Sequence, residues 1–187
     1  MSVAPTDVFL QPGEYFVGEA PHRIRTVLGS CVSVTLWNAA RQVGAMSHFL
    51  LASRSGMPRT GPSLQSYLGA AFPLGHTLDA RYGDEALQLM LGELARKKVD
   101  ASQCQAKIFG GGDMFPNQNT SGGLAIGRRN GEAARSLLQR HGIEVISESL
   151  FGEGHRQIAF DIASGHVWSR QVRPVSDGRP AASAHAA

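Results

Sequence analysis

Cys31 and His48 are the side chains in this sequence whose types best suit nucleophilic chemistry. A thiol attacks a carbonyl as its thiolate. A free thiol is mostly protonated at neutral pH, so a cysteine nucleophile needs a base beside it. Cys31 ends the segment Thr26-Val27-Leu28-Gly29-Ser30-Cys31, in which glycine and serine precede a cysteine that opens an apolar strand. At such a position the backbone can come close to a substrate carbonyl, and N–H groups around Ser30 and Cys31 could donate to an oxyanion. Cys104, the other cysteine, has no histidine near it in sequence and reads as structural. No His, Cys or Asp cluster has metal-ligand spacing, so the expected chemistry uses neither metal nor cofactor.

The pair must be brought together by the elements around it. Residues 31–37 alternate, with Val32, Val34 and Leu36 on one face. Residues 38–41 form a plausible turn and 42–51 read as a return strand, which predicts a hairpin. With that turn Trp37 faces Gln42, and counting back along both strands sets Cys31 directly opposite His48. Facing Cβ atoms lie about 5 Å apart, within reach of a thiol–imidazole hydrogen bond. A turn one residue longer or shorter sends His48 to the other face. Spacing alone also allows the plainer reading, in which the cysteine is a small buried hydrophobe and the histidine an ordinary strand residue.

Around the hairpin, 14–18 reads as a short strand and 52–82 as a long surface excursion with one apolar cluster at 67–72. Residues 84–98 form the clearest helix, with Asp84 as its cap and Leu87, Met90, Leu91 and Leu94 at helical spacing. A strand at 105–109 runs into Gly110-Gly111-Gly112. This run lacks the lysine and spacing of a phosphate loop and reads as a turn packed close to the site. A second helix covers 130–141, with Ala133, Leu137 and Leu138 inward and Gly142 as its stop. Strands at 143–147, 157–161 and 166–169 complete the set. The expected fold is α+β, a layered mixed or antiparallel sheet core with covering helices. Residues 13–172 form the single expected domain, 1–12 a flexible arm and 173–187 a disordered tail. Gly29, Gly110, Gly111 and Asn117 are candidate pocket residues, with Asn119 in the same loop as Asn117.

A chain of 187 residues with 42% hydrophobic and 18% charged residues buries enough surface to fold without staples. The net charge is +3, and the longest basic run, Arg96-Lys97-Lys98, sits at a helix end where it complements the dipole. Nothing resembles the electrostatic footprint of a nucleic-acid binder. Two cysteines fit a reducing compartment, and neither a signal peptide nor a membrane span is legible, so a cytoplasmic protein is expected.

LGSCVSVTLWN followed by VGAMSHFLL, then ARYGDEALQLML, AKIFGGGDMF, IGRRN, HGIEVISE and GHRQIAFDIASGHV, resemble in order the motifs of the CheD family of chemoreceptor glutamine deamidases. The resemblance covers about residues 12–170. It implies a fold like that of the cysteine-hydrolase deamidases of cytotoxic necrotizing factors, and a catalytic Cys31 and His48. It also implies a threonine just upstream of the cysteine. Thr26 is the candidate, although some relatives place the threonine one residue earlier, where this chain has Arg25. The implied activity is hydrolysis of glutamine side chains on the cytoplasmic helices of methyl-accepting chemoreceptors, with glutamyl methyl esters as substrates of some relatives and a CheC-type phosphatase as partner in some bacteria. The segment 57–77 looks longer than in compact relatives. FGEGHR departs from the family's usual glycine pattern and reads as structural. Two other classes fit the bare residues: another cysteine acyl-transfer enzyme, such as a transglutaminase or peptidase, and a binding module with an inert Cys31. Rapid alkylation near neutral pH would mark a reactive thiol.

Overall fold

The structure is a computed structural model and describes residues 4–54, 77–114 and 121–173. Its strands are β1 (Thr6–Phe9), β2 (Tyr15–Glu19), β3 (His22–Leu28), β4 (Val32–Asn38), β5 (Val43–Ser47), β6 (Gln105–Gly110), β7 (Glu144–Leu150), β8 (His155–Asp161) and β9 (Val167–Val172). Helix α1 (Gly83–Arg96) lies between β5 and β6, and α2 (Ser121–Arg140) between β6 and β7. The fold is α+β, as expected, with two mixed sheets. One runs β1-β3-β8-β9 and the other β2-β5-β4-β6-β7. The parallel pairs are β1 with β3 and β6 with β7.

Two apolar layers hold these elements. Val32, Val34 and Leu36 of β4 join Val43, Ala45 and Phe49 in a core with Met90, Leu91 and Leu94 of α1 and Leu137 and Leu138 of α2. The second core, Leu10, Ile24, Leu28, Met46, Phe109, Ile158 and Phe160, lies between the two sheets. The five-stranded sheet is therefore covered on both faces, which is why β5 is buried at every position.

Four details differ from the sequence reading. Residues 6–9, expected in a loose arm, form β1. Their own pattern is mostly exposed, and what makes them a strand is register against β3, with Val8 paired to Ile24. Helix α1 is capped at Tyr82 without a side-chain bond, and Asp84 sits inside the first turn beside Glu85, where negative charge suits the helix dipole. Helix α2 starts at Ser121 rather than 130, through a glycine-rich stretch of low intrinsic propensity.

The fourth detail is the hairpin register. The turn comes one residue later than expected, at 39–42, with Asn38 opposite Val43 and Trp37 opposite Gly44. Asn38 stays in the strand because its side chain is used at both ends. Its Oδ1 accepts from the Arg41 amide at 3.0 Å and its Nδ2 donates to Gln103 O at 3.2 Å. Gln42 closes the turn at a φ of 48°, in the left-handed region. The pairing continues through the bridge between Val32 and Phe49, closed by bonds of 3.1 and 3.0 Å. Cys31 therefore falls opposite Leu50, and His48 opposite Ser33. The shift is two residues, and side-chain direction repeats every two, so both groups keep the shared face that the sequence reading gave them. They are diagonal neighbours rather than directly opposed.

Candidate active site

That shared face looks into the layer between the sheets. The partly buried Cys31 packs against the inter-sheet core, while Val32 beside it belongs to the helix-side core. His48 is 2% exposed and reaches across to the other sheet, where its Nδ1 lies 2.8 Å from Thr26 Oγ1 on β3. Thr26 is itself buried, alternating inward with Ile24 and Leu28. Its hydroxyl donates to Leu10 O at 2.8 Å. A hydroxyl has one proton, and a carbonyl can only accept. With that proton on Leu10 O, Thr26 must accept from His48 Nδ1–H. This chain of bonds assigns the tautomer and leaves Nε2 with a free lone pair, which is the state a general base requires.

Burial sets the resting charges. It pushes the His48 imidazole down to about 4, against smaller opposing effects of Leu10 O and the Glu14 carboxylate. It pushes the Cys31 thiol up, partly offset by the backbone amide of Cys31. Both groups thus rest neutral at pH 7, on the same face of the hairpin. This differs from the preformed low-pKa thiolate that rapid alkylation at neutral pH would report. Cys104 lies elsewhere, in the helix-side core, with its thiol pushed up to about 11 by burial and then by Asp100.

The glycine run packs against the cysteine as the sequence reading expected. Gly111 N donates to Cys31 O and Gly112 N to Gly29 O, each at 2.8 Å. Gly110 has a φ of 112°, and a Cβ there would stand 2.2 Å from Cys31 O, so a side chain has neither the backbone conformation nor the room. The FGEGHR segment braces this loop. Buried Arg156 donates to Gly110 O at 3.1 Å and to Phe151 O at 3.0 Å. Gly29 faces Met114, whose sulfur would lie 2.8 Å from a Cβ placed there. Ser30 contributes its carbonyl, which accepts from Asn130 Nδ2 at 3.1 Å. Asn117, Asn119 and most of the 52–82 excursion lie outside the described residues. Arg25, the alternative threonine position, points away from the layer, as an exposed residue of β3. The residue missed from sequence is Asn130. Its position inside a glycine-interrupted stretch gave no local sign that it reaches the Cys31 segment.

The family model for CheD chemotactic sensory transduction matches residues 74–171. The probable chemoreceptor glutamine deamidase CheD 2 of Albidiferax ferrireducens is 60% identical over 91% of this chain and 90% of its own length. The probable chemoreceptor glutamine deamidase CheD 1 of Chromobacterium violaceum is 38% identical over 88% of this chain and 77% of its own. The corresponding CheD of Pseudomonas syringae pv. tomato is 36% identical over 89% of each. The family model takes in α1, the glycine run and α2, and the matches to whole relatives extend over about nine-tenths of this chain. Similar to those relatives over about nine-tenths of its length and matched by the family model over 74–171, the chain belongs to the CheD family.

Proposed function

We propose that this protein hydrolyses the side-chain amide of glutamines on chemoreceptors, with Cys31 as nucleophile and His48 as base. The observation that carries the reading is the bond between Thr26 and His48 Nδ1. It holds the imidazole in the layer that also receives the Cys31 side chain, and with the Thr26 proton on Leu10 O the ring carries its own proton on Nδ1. The names of the relatives supply the substrate class.

In this mechanism His48 Nε2 takes the thiol proton as sulfur attacks the amide carbon. The tetrahedral oxyanion is held by backbone N–H groups at Ser30 and Cys31. The imidazolium then gives its proton to the leaving nitrogen, and ammonia departs as the C–N bond breaks and a thioester remains. Water attacks the thioester with its proton passing to His48, the C–S bond breaks, and the sulfur recovers a proton as glutamate is released. Thr26 holds the ring throughout and stabilises the transient imidazolium by accepting its Nδ1–H, the part the third member plays in other nucleophilic triads. The substrate is a folded helical protein, so the scissile amide is brought to the thiol by docking of a surface. The cytoplasmic helices of methyl-accepting receptors supply such a surface, and this reading sets the protein in the cytoplasm. Among the described residues no helix is long and apolar enough to cross a membrane. A CheC-type phosphatase belongs to the same reading as a regulatory partner.

The test is mass spectrometry of a purified receptor cytoplasmic fragment incubated with and without the protein. Glutamine-to-glutamate mass changes at discrete positions, with equimolar ammonia, are expected. A fragment with every glutamine intact overturns the reading. Incorporation of an added amine in place of ammonia release alone would reassign the protein as a transglutaminase.

A further inference from the structure

The IGRRN motif has no part in the chemistry above, yet its last residue is the polar side chain that ties the nucleophile segment to a helix. Asn130 is 1% exposed, and both hydrogens of its amide are used. One goes to Ser30 O at 3.1 Å and the other to Leu50 O at 2.7 Å. These carbonyls belong to the two chain segments that flank the Val32–Phe49 bridge, 100 and 80 residues away in sequence. The approach is made possible by the helix face around Asn130. Gly127 lies one turn before Asn130 on its face, and Gly131 lies one turn after Gly127. A Cβ on Gly127 would stand 2.7 Å from Gly111 O, and one on Gly131 would stand 2.7 Å from the Phe151 ring. The helix thus lies with its backbone against the glycine loop that itself holds Cys31 O.

The bond to Ser30 O has a geometric consequence. The Ser30–Cys31 peptide is trans, so its C=O and N–H point in opposite directions. Anchoring the carbonyl on the buried side, towards α2, turns the Cys31 N–H away from the helix. On that side the Cys31 amide also works against the effect of burial on the Cys31 thiol. An N–H beside the attacking sulfur is where the oxyanion of a tetrahedral adduct forms. We propose that Asn130 is a positioning residue that orients the Cys31 amide as the oxyanion donor. This rests on the assignment of Cys31 as the nucleophile.

The experiment compares wild type with Asn130→Ala in three measurements. Ammonia release from a receptor fragment is expected to show kcat lower by about 10- to 100-fold with KM little changed, because the oxyanion exists only after attack. The affinity for a peptide aldehyde, with the aldehyde replacing the glutamine side-chain amide, is expected to weaken by a similar factor, since its adduct with the thiol carries the same oxyanion. Alkylation of Cys31 by iodoacetamide forms no oxyanion and is expected to lose far less than kcat, with its pH midpoint moving up only slightly as the amide's support of the sulfur weakens. Loss of alkylation in step with kcat would show that Asn130 merely holds the thiol in place, and unchanged kcat and aldehyde affinity would show that it holds nothing; either overturns the proposal. A wild type that releases no ammonia sinks the deamidase reading, while the aldehyde measurement still decides the role of Asn130. Should Asn130→Ala unfold, Asn130→Asp takes its place. A carboxyl facing two carbonyls regains one donor when protonated, so its kcat is expected to recover as pH falls towards about 5. A profile parallel to wild type contradicts the proposal.

Discussion

The two buried faces of the five-stranded sheet are made from alternate residues of the same strands, yet they differ in kind. The helix side receives Val32, Val34, Leu36, Val43, Ala45 and Phe49 against the leucines and methionine of α1 and α2. The inter-sheet side carries Met46 and Phe109 but also Ser33 and His48, both at most 2% exposed, with Cys31 at its margin and the equally buried Thr26 facing it from β3 of the other sheet. The Ser33 hydroxyl has no hydrogen-bond partner among the described residues. Burying polar groups costs free energy unless they are bonded. The first face is built for stability, whereas the second gives some up to bury polar groups, which on the proposed mechanism are the base and the group that orients it. Stability and chemistry should therefore separate by face.

The largest separation is expected at the nucleophile. Cys31→Ala should lower glutamine deamidation by roughly 10⁴-fold or more, as removal of a triad member does elsewhere. Its melting temperature should stay close to wild type, because only a sulfur at the margin of the core is lost. The opposite signature is expected on the helix side. Leu94→Ala should cost about 2–5 kcal/mol in denaturant unfolding while turnover per folded molecule holds. Loss of turnover in that folded variant would show that the faces are not separable.

The next effect is in pH. The folded His48 value of about 4 lies below the 6.5 of a free imidazole, so between these values the unfolded chain binds the extra proton. Stability should be unaffected above about pH 6.5 and fall as pH drops towards 4, by about 3 kcal/mol in all at 1.36 kcal/mol per unit. His48→Gln should flatten that slope in urea titrations at a series of pH values. The acid limb of kcat/KM in wild type should likewise sit near 4 rather than 6.5, because the base is neutral above that value.

The smallest effect sharpens the polar face. Thr26→Val keeps the shape but leaves His48 Nδ1–H and Leu10 O without their partner, a loss of about 1–3 kcal/mol. Turnover should fall roughly tenfold or more, with a stability loss of the same order, whereas Val34→Thr on the helix side should cost stability alone. Equal turnover in Thr26→Val and wild type would mean that the ring needs no orienter.

Alternation in 31–37 made the shared face of Cys31 and His48 legible, because the register error was an even one and side-chain direction repeats every two residues. The register itself was missed by two residues. It depends on Asn38 acting as a strand residue with both ends of its amide bonded, one of them to Gln103, far away in sequence. The tautomer of His48 was not legible, since it is set by Leu10 O and Thr26 from β3 and the segment before it. Helix α1 was read well because its apolar spacing is local. β1 was not, because parallel pairing with β3 alone makes those exposed residues a strand. Asn130 illustrates the same limit, as its two carbonyl partners come from segments 80 and 100 residues distant. Thr26 was reached by the family resemblance, and its bond to His48 required the two sheets to be stacked.

The central claim is that Cys31 sulfur forms the acyl bond while His48 moves the proton. Acid quenching of the reaction during the first turnovers, followed by mass spectrometry of the intact protein and its peptides, tests it directly. A glutamine-containing receptor peptide should be found joined to Cys31 as a thioester, at the summed mass less one ammonia, and absent from Cys31→Ala. Deamidation by Cys31→Ala at the wild-type rate, or an acyl group carried on another residue, would contradict it.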